Sequence, residues 1–470
     1  MKYLVKSGSI VEGERELPVR ATADVIVAGG GTAGIAAAVA AARNGARTIL
    51  VEELSYLGGT MSGALVCQTT GCAPAIGAVF NELLERMEAK REAFRIPDVT
   101  AFWDVEACKD AAADMLEDEG AELLLYTRVS DPVVVDGKVA GVVIESAAGR
   151  EALLGAVVVD CSGDADVAFR AGAPCVLGRE RDAKMRPINV LSRFGNVDVD
   201  RLVDHVAANP GNFNVDPKQH VIVRGRNIYR IVGFFEETKK AKLSGEIHPE
   251  CHYIRLEVIF PEKGIVTLNS SRVYGVDATD PASLTRATLE SRRQTHELAA
   301  FLKKYIPGFE HAFLMDFASM PGIRETRRII GEYVLTSEDI AGDRPFPDSI
   351  ARNVMRMKPG EETHSPDGNE GNEGHVIYRT LERAKFAHNI PYRCLVPQKV
   401  DGLLAAGRII SVTHSADDWT RNIPPAMLCG QAAGTAAAMA SQSGVQPRRI
   451  DVSLLQKRLR EQGVDIGDVG

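Results

Sequence analysis

Apolar and polar positions follow two rhythms along this chain, one of short unbroken β-prone runs and one of helical spacing. Asp24-Val25-Ile26-Val27-Ala28 is such a run. It is followed at once by Gly29-Gly30-Gly31-Thr32-Ala33-Gly34 and then by an alanine-rich stretch to about Arg43 that predicts a buried helix. A second run, Arg47 to Val51, ends in Glu52. Val105 to Glu119 predicts a helix stopped at Gly120, and Glu122 to Val129 predicts an extended segment. Pro132 to Ile144 alternates on both sides of Asp136-Gly137, the signature of a hairpin with a two-residue turn. Further strands are predicted over 156–160 and 402–406, the latter stopped by Gly407, and a helix over 425–440.

Between about Arg179 and Gly374 the texture changes. Tyr253 to Phe260 alternates like a strand, Gly264 to Ser271 is a plausible partner, and Pro281 to Tyr305 predicts a long charged helix. The polar, Gly- and Glu-rich stretch 358–374 reads as a loop, either a lid or a surface excursion. The expected fold is α/β: a Rossmann-like nucleotide-binding domain made from both chain ends, 23–178 and 375–470, with an inserted α+β substrate or cap domain over 179–374.

The first run carries recognisable chemistry. Strand, glycine turn and helix occur in the order that binds a dinucleotide. Gly29 allows the tight turn, Gly31 lets a pyrophosphate approach the backbone, and Gly34 lets the helix pack on the strand. Thr32 and Ala33 open that helix, whose N-terminus offers amide donors and a positive dipole end. Glu52 closes the next strand about 20 residues on, where a carboxylate accepts from a ribose 2′-hydroxyl. An acid there disfavours a 2′-phosphate, which points to FAD or NAD rather than NADP.

The choice between these comes from the rest of the chain. After Glu53 comes Gly58-Gly59-Thr60; the strand over 156–160 runs into Ser162-Gly163-Asp164; and Gly407-Arg408 leads to His414 and the last long helix. Together with Gly322 to Ile329 and Ile390 to Pro397, these segments resemble an FAD-dependent oxidoreductase family of unassigned substrate. That family is related to fumarate reductase flavoproteins, to glutathione-reductase-type FAD-binding folds and to tRNA-modifying flavoproteins. The resemblance spans about 23–440. It implies noncovalent FAD held additionally by Glu53, Gly58, Gly59 and Thr60, by the backbone of Val129, by Ser162, Gly163 and Asp164, and by Gly407 and Arg408. Arg408 departs from the disulfide reductases, which carry an Asp there. The implied activity is hydride transfer between flavin N5 and a small organic substrate, with a nicotinamide or other electron carrier as an open second partner. Modification of a macromolecule such as tRNA and a non-catalytic redox sensor are the alternatives.

Composition narrows this further. With 55 basic and 63 acidic residues the formal net charge is −8, which disfavours nucleic-acid and anionic-membrane partners. No apolar run suits a signal or a membrane span, so the chain reads as cytoplasmic; a homo-oligomer is compatible. Eight scattered cysteines with no CxxC or HExxH predict neither a disulfide framework nor a metal site. Cys67 and Cys72 have the spacing of a redox disulfide, but Met61 to Val66 separate them from Gly58-Gly59-Thr60; they are a redox pair or two buried thiols. His414 is a candidate proton donor or acceptor beside the flavin, or a structural hydrogen-bonder. Arg421 is a candidate clamp for an anionic substrate, or a solvated loop charge. Arg324 and Glu325 read as a bracing ion pair.

Overall fold

The computed structural model describes residues 3–6, 8–69, 77–96, 100–213, 221–223, 226–355, 364–368 and 386–469. Its larger sheet has seven strands in the order Glu122–Leu124, Thr48–Val51, Val19–Ala28, Gly149–Asp160, Lys138–Ser146 and Arg128–Val135, with Leu403–Ala405 also paired to Gly149–Asp160. Four of these neighbour contacts are parallel: Glu122–Leu124 with Thr48–Val51, that strand with Val19–Ala28, and Gly149–Asp160 with both Val19–Ala28 and Leu403–Ala405. The Gly149–Asp160 strand is longer than the apolar run 156–160 suggests because its partners change along its length. Gly149 to Leu154 pair antiparallel with Lys138–Ser146, whereas Val158 to Asp160 take Leu403 to Ala405 as parallel partners. A segment near the chain's end thus enters the sheet built by its beginning.

The Asp-Gly hairpin forms as expected, with Asp136 and Gly137 both at positive φ (51° and 75°). By contrast, the extended segment over 122–129 breaks in two. Tyr126 adopts φ 54° and donates its N–H to the Leu54 carbonyl, and Thr127 N–H reaches the Glu52 carbonyl. Those two bonds divert the chain out of one edge strand before Arg128–Val135 begins.

Helix Thr32–Arg43 lies against helix Ile423–Ser443. Their contact is close because Gly430 and Gly434 lack side chains: a Cβ on either would overlap the carbonyl of Ala33 or Ala37. The alanine-rich stretches that look too plain to define a face therefore form a backbone-to-backbone interface, and every residue from Ile423 to Ala440 is buried.

A second, antiparallel sheet of six strands runs Val221–Val223, Arg226–Gly233, Ile254–Phe260, Ile265–Leu268, Ser192–Gly195 and Phe313–Phe317. Leu298, Phe301 and Leu302 of helix Pro281–Tyr305 share its core with Phe194, Leu256 and Val258. That helix begins where Asp280 accepts from Ala282 N and Ser283 N with proline at the first turn, a cap plus a residue with no amide to lose. Among the described residues no helix is long and apolar enough to cross a membrane.

Candidate active site

The glycine turn after Val19–Ala28 is shaped by two close approaches. Gly29 has φ 102°, and a Cβ there would stand 2.6 Å from the Cys161 carbonyl oxygen. A Cβ on Gly34 would overlap the Gly29 carbonyl, so both glycines are required for the turn and helix to seat. Gly31, the residue capping helix Thr32–Arg43, is different: φ is −71°, and a Cβ would meet nothing within 4 Å. Its front is open. Glu52 is buried at the end of the neighbouring strand, with Oε2 accepting from Gly30 N (2.6 Å) and Oε1 from Leu54 N (2.8 Å). Burial pushes its carboxyl above the usual range, and the two amide bonds oppose that shift.

The loop after Glu52 folds back over this turn. Gly58 N donates to Gly30 O (3.0 Å), Thr32 Oγ1 reaches Gly58 O (3.4 Å), and a Cβ on Gly59 would stand 3.0 Å from Gly31 Cα. Gly58 and Gly59 have φ 105° and 50°, which favours glycine at both. Trp103 Nε1 to Met61 O (3.0 Å) and Ser62 Oγ to Leu57 O (2.6 Å) pin the loop around Thr60. Glu53 is exposed, with Arg128 Nε 3.8 Å away, and Val129 sits just beyond Thr127, whose amide holds the Glu52 carbonyl.

Fully buried Asp160 organises the second turn, accepting from Ser162 N (3.0 Å), Ser162 Oγ (2.6 Å) and Ala168 N (2.9 Å). Gly163 has φ 80°, and its missing Cβ makes room for the Arg408 guanidinium. Arg408 bridges to Asp164 (2.8 Å) and donates to Ile323 O (2.7 Å). Gly407 lies against Ala33: its Cβ would stand 3.0 Å from that of Ala33. The strand return thereby brings 407–408 to the start of the first helix.

Six residues after Arg408 the chain enters a buried network of charges. His414 opens a short helix, His414–Thr420, where a loop was expected. Its Nδ1 lies 2.8 Å from Glu325 Oε1. Its backbone is held too: N–H donates to Glu180 Oε1 (2.7 Å), and C=O accepts from Arg186 Nη2 (2.7 Å). Glu325 also forms an ion pair with Arg328 and accepts from Arg186 N (3.3 Å). Arg186 and Arg328 are almost wholly buried. Arg186 stands 3.4 Å from Asp417 and 3.0 Å from Asp418, while Arg328 donates to Val412 O and Gly178 O, both at 2.9 Å. Arg421 lies 2.5 Å from Asp418 and 3.5 Å from Asp417. Both Asp417 carboxylate oxygens are without a hydrogen bond, and burial pushes that carboxyl up to about 6, with the Glu325 charge adding to the shift and Arg186 and Arg421 opposing it.

A family model for FAD dependent oxidoreductases matches residues 24–459. The chain belongs to that family. It is an oxidoreductase, and its cofactor is FAD. The thiamine thiazole synthase of Aeropyrum pernix is 37% identical over 123 residues, which cover 26% of this chain and 43% of that protein. The same enzyme from Methanococcus aeolicus is 29% identical over 169 residues, covering 34% and 60%. The match thus spans less than two thirds of either relative. Among solved structures, a geranylgeranyl bacteriochlorophyll reductase-like protein from Thermoplasma acidophilum is similar with a TM-score of 0.47 and 15% identity, over 94% of this chain and 82% of that one. For p-nitrophenol 4-monooxygenase from Pseudomonas putida the values are 0.48, 10%, 94% and 85%.

The residues present suit FAD. Open space in front of Gly31, where a side chain would meet no protein atom, is the place a pyrophosphate needs at a helix N-terminus. Glu52 has its carboxylate at the strand end from which a ribose is reached.

Of the residues expected at the site, Gly58 and Gly59 lie over Gly30, Gly31 and Thr32, Gly407 lies against Ala33, and Arg408 lies against Gly163 and Asp164, while His414 and Arg421 lie in the charged network. Glu325 is a brace, but its ion-pair partners are Arg328, three residues further along the chain, and Arg186; Arg324 donates to the Pro187 carbonyl. Arg421 is not a solvated charge, since Asp418 engages its guanidinium. Cys67 is buried, its thiol pushed far above the usual range by desolvation with the Glu257 charge adding. Cys72 lies outside the described residues, as does 358–374 apart from 364–368, where Arg179 and Lys184 hold Asp367 at 2.7 Å each. Arg186, Arg328 and Glu180 were not anticipated. Arg328 lies within the Gly322 to Ile329 segment that carries the resemblance, whereas nothing local marks Arg186 or Glu180; the bare hint was Asp417-Asp418-Trp419, two acids beside a large apolar residue.

Proposed function

We propose that this FAD-dependent oxidoreductase transfers a hydride between flavin N5 and a small organic substrate, with His414 exchanging the accompanying proton. The observation that carries the reading is the buried Glu325–His414 contact, placed just beyond the return strand that brings Gly407 to Ala33. Bound FAD supplies a reversible two-electron couple. In this reading Gly29, Gly31, Thr32, Ala33 and Gly34 receive the pyrophosphate, Glu52 and Glu53 the adenosine ribose, and the Val129 backbone the adenine. Gly58, Gly59 and Thr60 line the flavin side with Ser162, Gly163, Asp164, Gly407 and Arg408. The six-stranded sheet within 179–374 acts as the substrate-side domain, and 23–178 with 375–470 as the cofactor domain. Arg421 meets an anionic group of the substrate by exchanging it for Asp418.

The test is an absorbance spectrum of the purified protein, after reconstitution with FAD where needed, followed by anaerobic addition of NADH, NADPH and a panel of small acids, alcohols and amines. A flavin band bleached by one class, and bleached far more slowly in His414→Gln, supports the reading. Failure to retain any flavin overturns the cofactor assignments. A retained flavin that no compound bleaches overturns the small-substrate reading.

A further inference from the structure

We infer that Glu325 is the positioning residue of the site: it holds a proton on His414 Nδ1, so that Nε2 is the ring nitrogen through which His414 exchanges protons. The inference rests on the reading that His414 serves proton exchange, but the geometry behind it is separate from any substrate.

Among the described residues, three contacts hold His414. Glu325 Oε1 holds the ring at Nδ1 (2.8 Å), Glu180 holds the backbone amide (2.7 Å), and Arg186 holds the carbonyl (2.7 Å). An imidazole has two ring nitrogens, and the hydrogen bond made by one decides the protonation of the other. Here the partner of Nδ1 is an acceptor that stays ionised. Burial pushes the Glu325 carboxyl up, but the His414 hydrogen bond, the Arg328 and Arg186 charges and the charge His414 carries when protonated outweigh it and leave the net direction downward. A carboxylate without a proton can only accept, so Nδ1 must donate.

The arrangement of donors around Glu325 supports this assignment. Oε1 receives Arg328 Nη1 and His414 Nδ1, and Oε2 receives the Arg186 amide. Arg328 reaches the same oxygen of Glu325 and is shared with Glu180 at 3.0 Å. What Glu325 adds at His414 is orientation, because an acceptor facing Nδ1 decides which ring nitrogen keeps a proton. Glu325 is wholly buried and His414 nearly so, at 0% and 7% side-chain exposure, which leaves the contact little competition from water. A fixed tautomer and a fixed ring plane are what a proton-exchanging histidine requires.

The experiment is ¹⁵N-histidine NMR of the FAD-loaded protein, with the His414 signals identified by their loss in His414→Gln. A His414 ring protonated at Nδ1, whether or not Nε2 also carries a proton, is the expected result, and a ring whose Nδ1 is unprotonated overturns the inference. Glu325→Gln and Glu325→Asp supply the second readout. The amide keeps an acceptor but lacks the charge; with a compound that bleaches the flavin, its rate should fall by about 10²-fold or more. Combining Glu325→Gln with His414→Gln should cost no more than His414→Gln by itself, because the two act as one unit. Glu325→Asp, if it restores the Nδ1 tautomer, should recover part of the rate. Independent, multiplying losses overturn the inference even if both variants bind FAD normally. Should the ring be Nδ1-protonated while His414→Gln bleaches at the wild-type rate, Glu325 still orients the ring and only the proposed role of His414 falls.

Discussion

Replacing Gly31 by alanine separates the cost of folding from the cost of binding FAD. The backbone there has φ −71° and ψ −168°, which alanine adopts freely, and the added Cβ meets no protein atom within 4 Å. Two small terms act on the unliganded protein. Reduced freedom of the unfolded chain stabilises by about 0.4–1 kcal/mol, and alanine is a poorer cap than glycine by roughly 0.5–1 kcal/mol. They nearly cancel, so the melting temperature without FAD should stay close to wild type. With FAD in the proposed position the same Cβ stands where the pyrophosphate approaches. Loss of one or two charge-assisted hydrogen bonds, at about 1.5–3 kcal/mol each, predicts at least ~10-fold weaker binding. Flavin fluorescence titration reads the affinity, and calorimetry with and without FAD reads the linked stabilisation, which should fall by about 1.5 kcal/mol or more in the variant. Gly34→Ala is the control: its Cβ would overlap the Gly29 carbonyl, so it should lose stability whether or not FAD is present. The reasoning is refuted if Gly31→Ala binds FAD within about threefold of wild type, or loses more than ~2 kcal/mol without ligand.

Other consequences can be checked separately. Glu52→Gln leaves one acceptor for the two amides now held at 2.6 and 2.8 Å; it should weaken FAD binding roughly 10- to 100-fold, and an unchanged titration would show that Glu52 holds only its own loop. Asp417 titrates in the fold at about 6, above the ordinary carboxylate value, so its protonated form is favoured by folding and the stability it contributes is lost as pH rises through about 6. The shift corresponds to at most ~3 kcal/mol; Asp417→Asn should flatten the change in denaturant stability between about pH 4 and about pH 7, and a slope equal to wild type would contradict the assignment. The Cys67 thiol is buried and kept protonated by desolvation, so alkylation in the native protein should run at least ~100-fold slower than for a free thiol. Mass spectrometry showing prompt modification of Cys67 would revive its candidacy as a redox group.

The part of strand Val19–Ala28 from Asp24 on, the glycine turn, the helix Thr32–Arg43 and Glu52 are legible in the sequence because each is a short-range event. A turn that needs φ 102° at Gly29, and helix packing that needs no Cβ at Gly34, leave glycine at fixed offsets whatever the rest of the chain does. Helix Pro281–Tyr305 is read with its bounds intact for the same reason, since cap, proline and periodicity are all local. Tertiary partners decided the rest. Gly149–Asp160 runs past its apolar core because Lys138–Ser146 and Leu403–Ala405 take different parts of it, and the 122–129 segment breaks because the loop after Glu52 claims its amides. The charged network is the extreme case: Arg186 and His414 are 228 residues apart, and Glu325 and His414 are 89 apart. Nothing near Arg186 in the sequence marks it as a residue that will be wholly buried, because what makes that burial tolerable is carboxylates and a carbonyl supplied by distant segments once the chain has closed on itself.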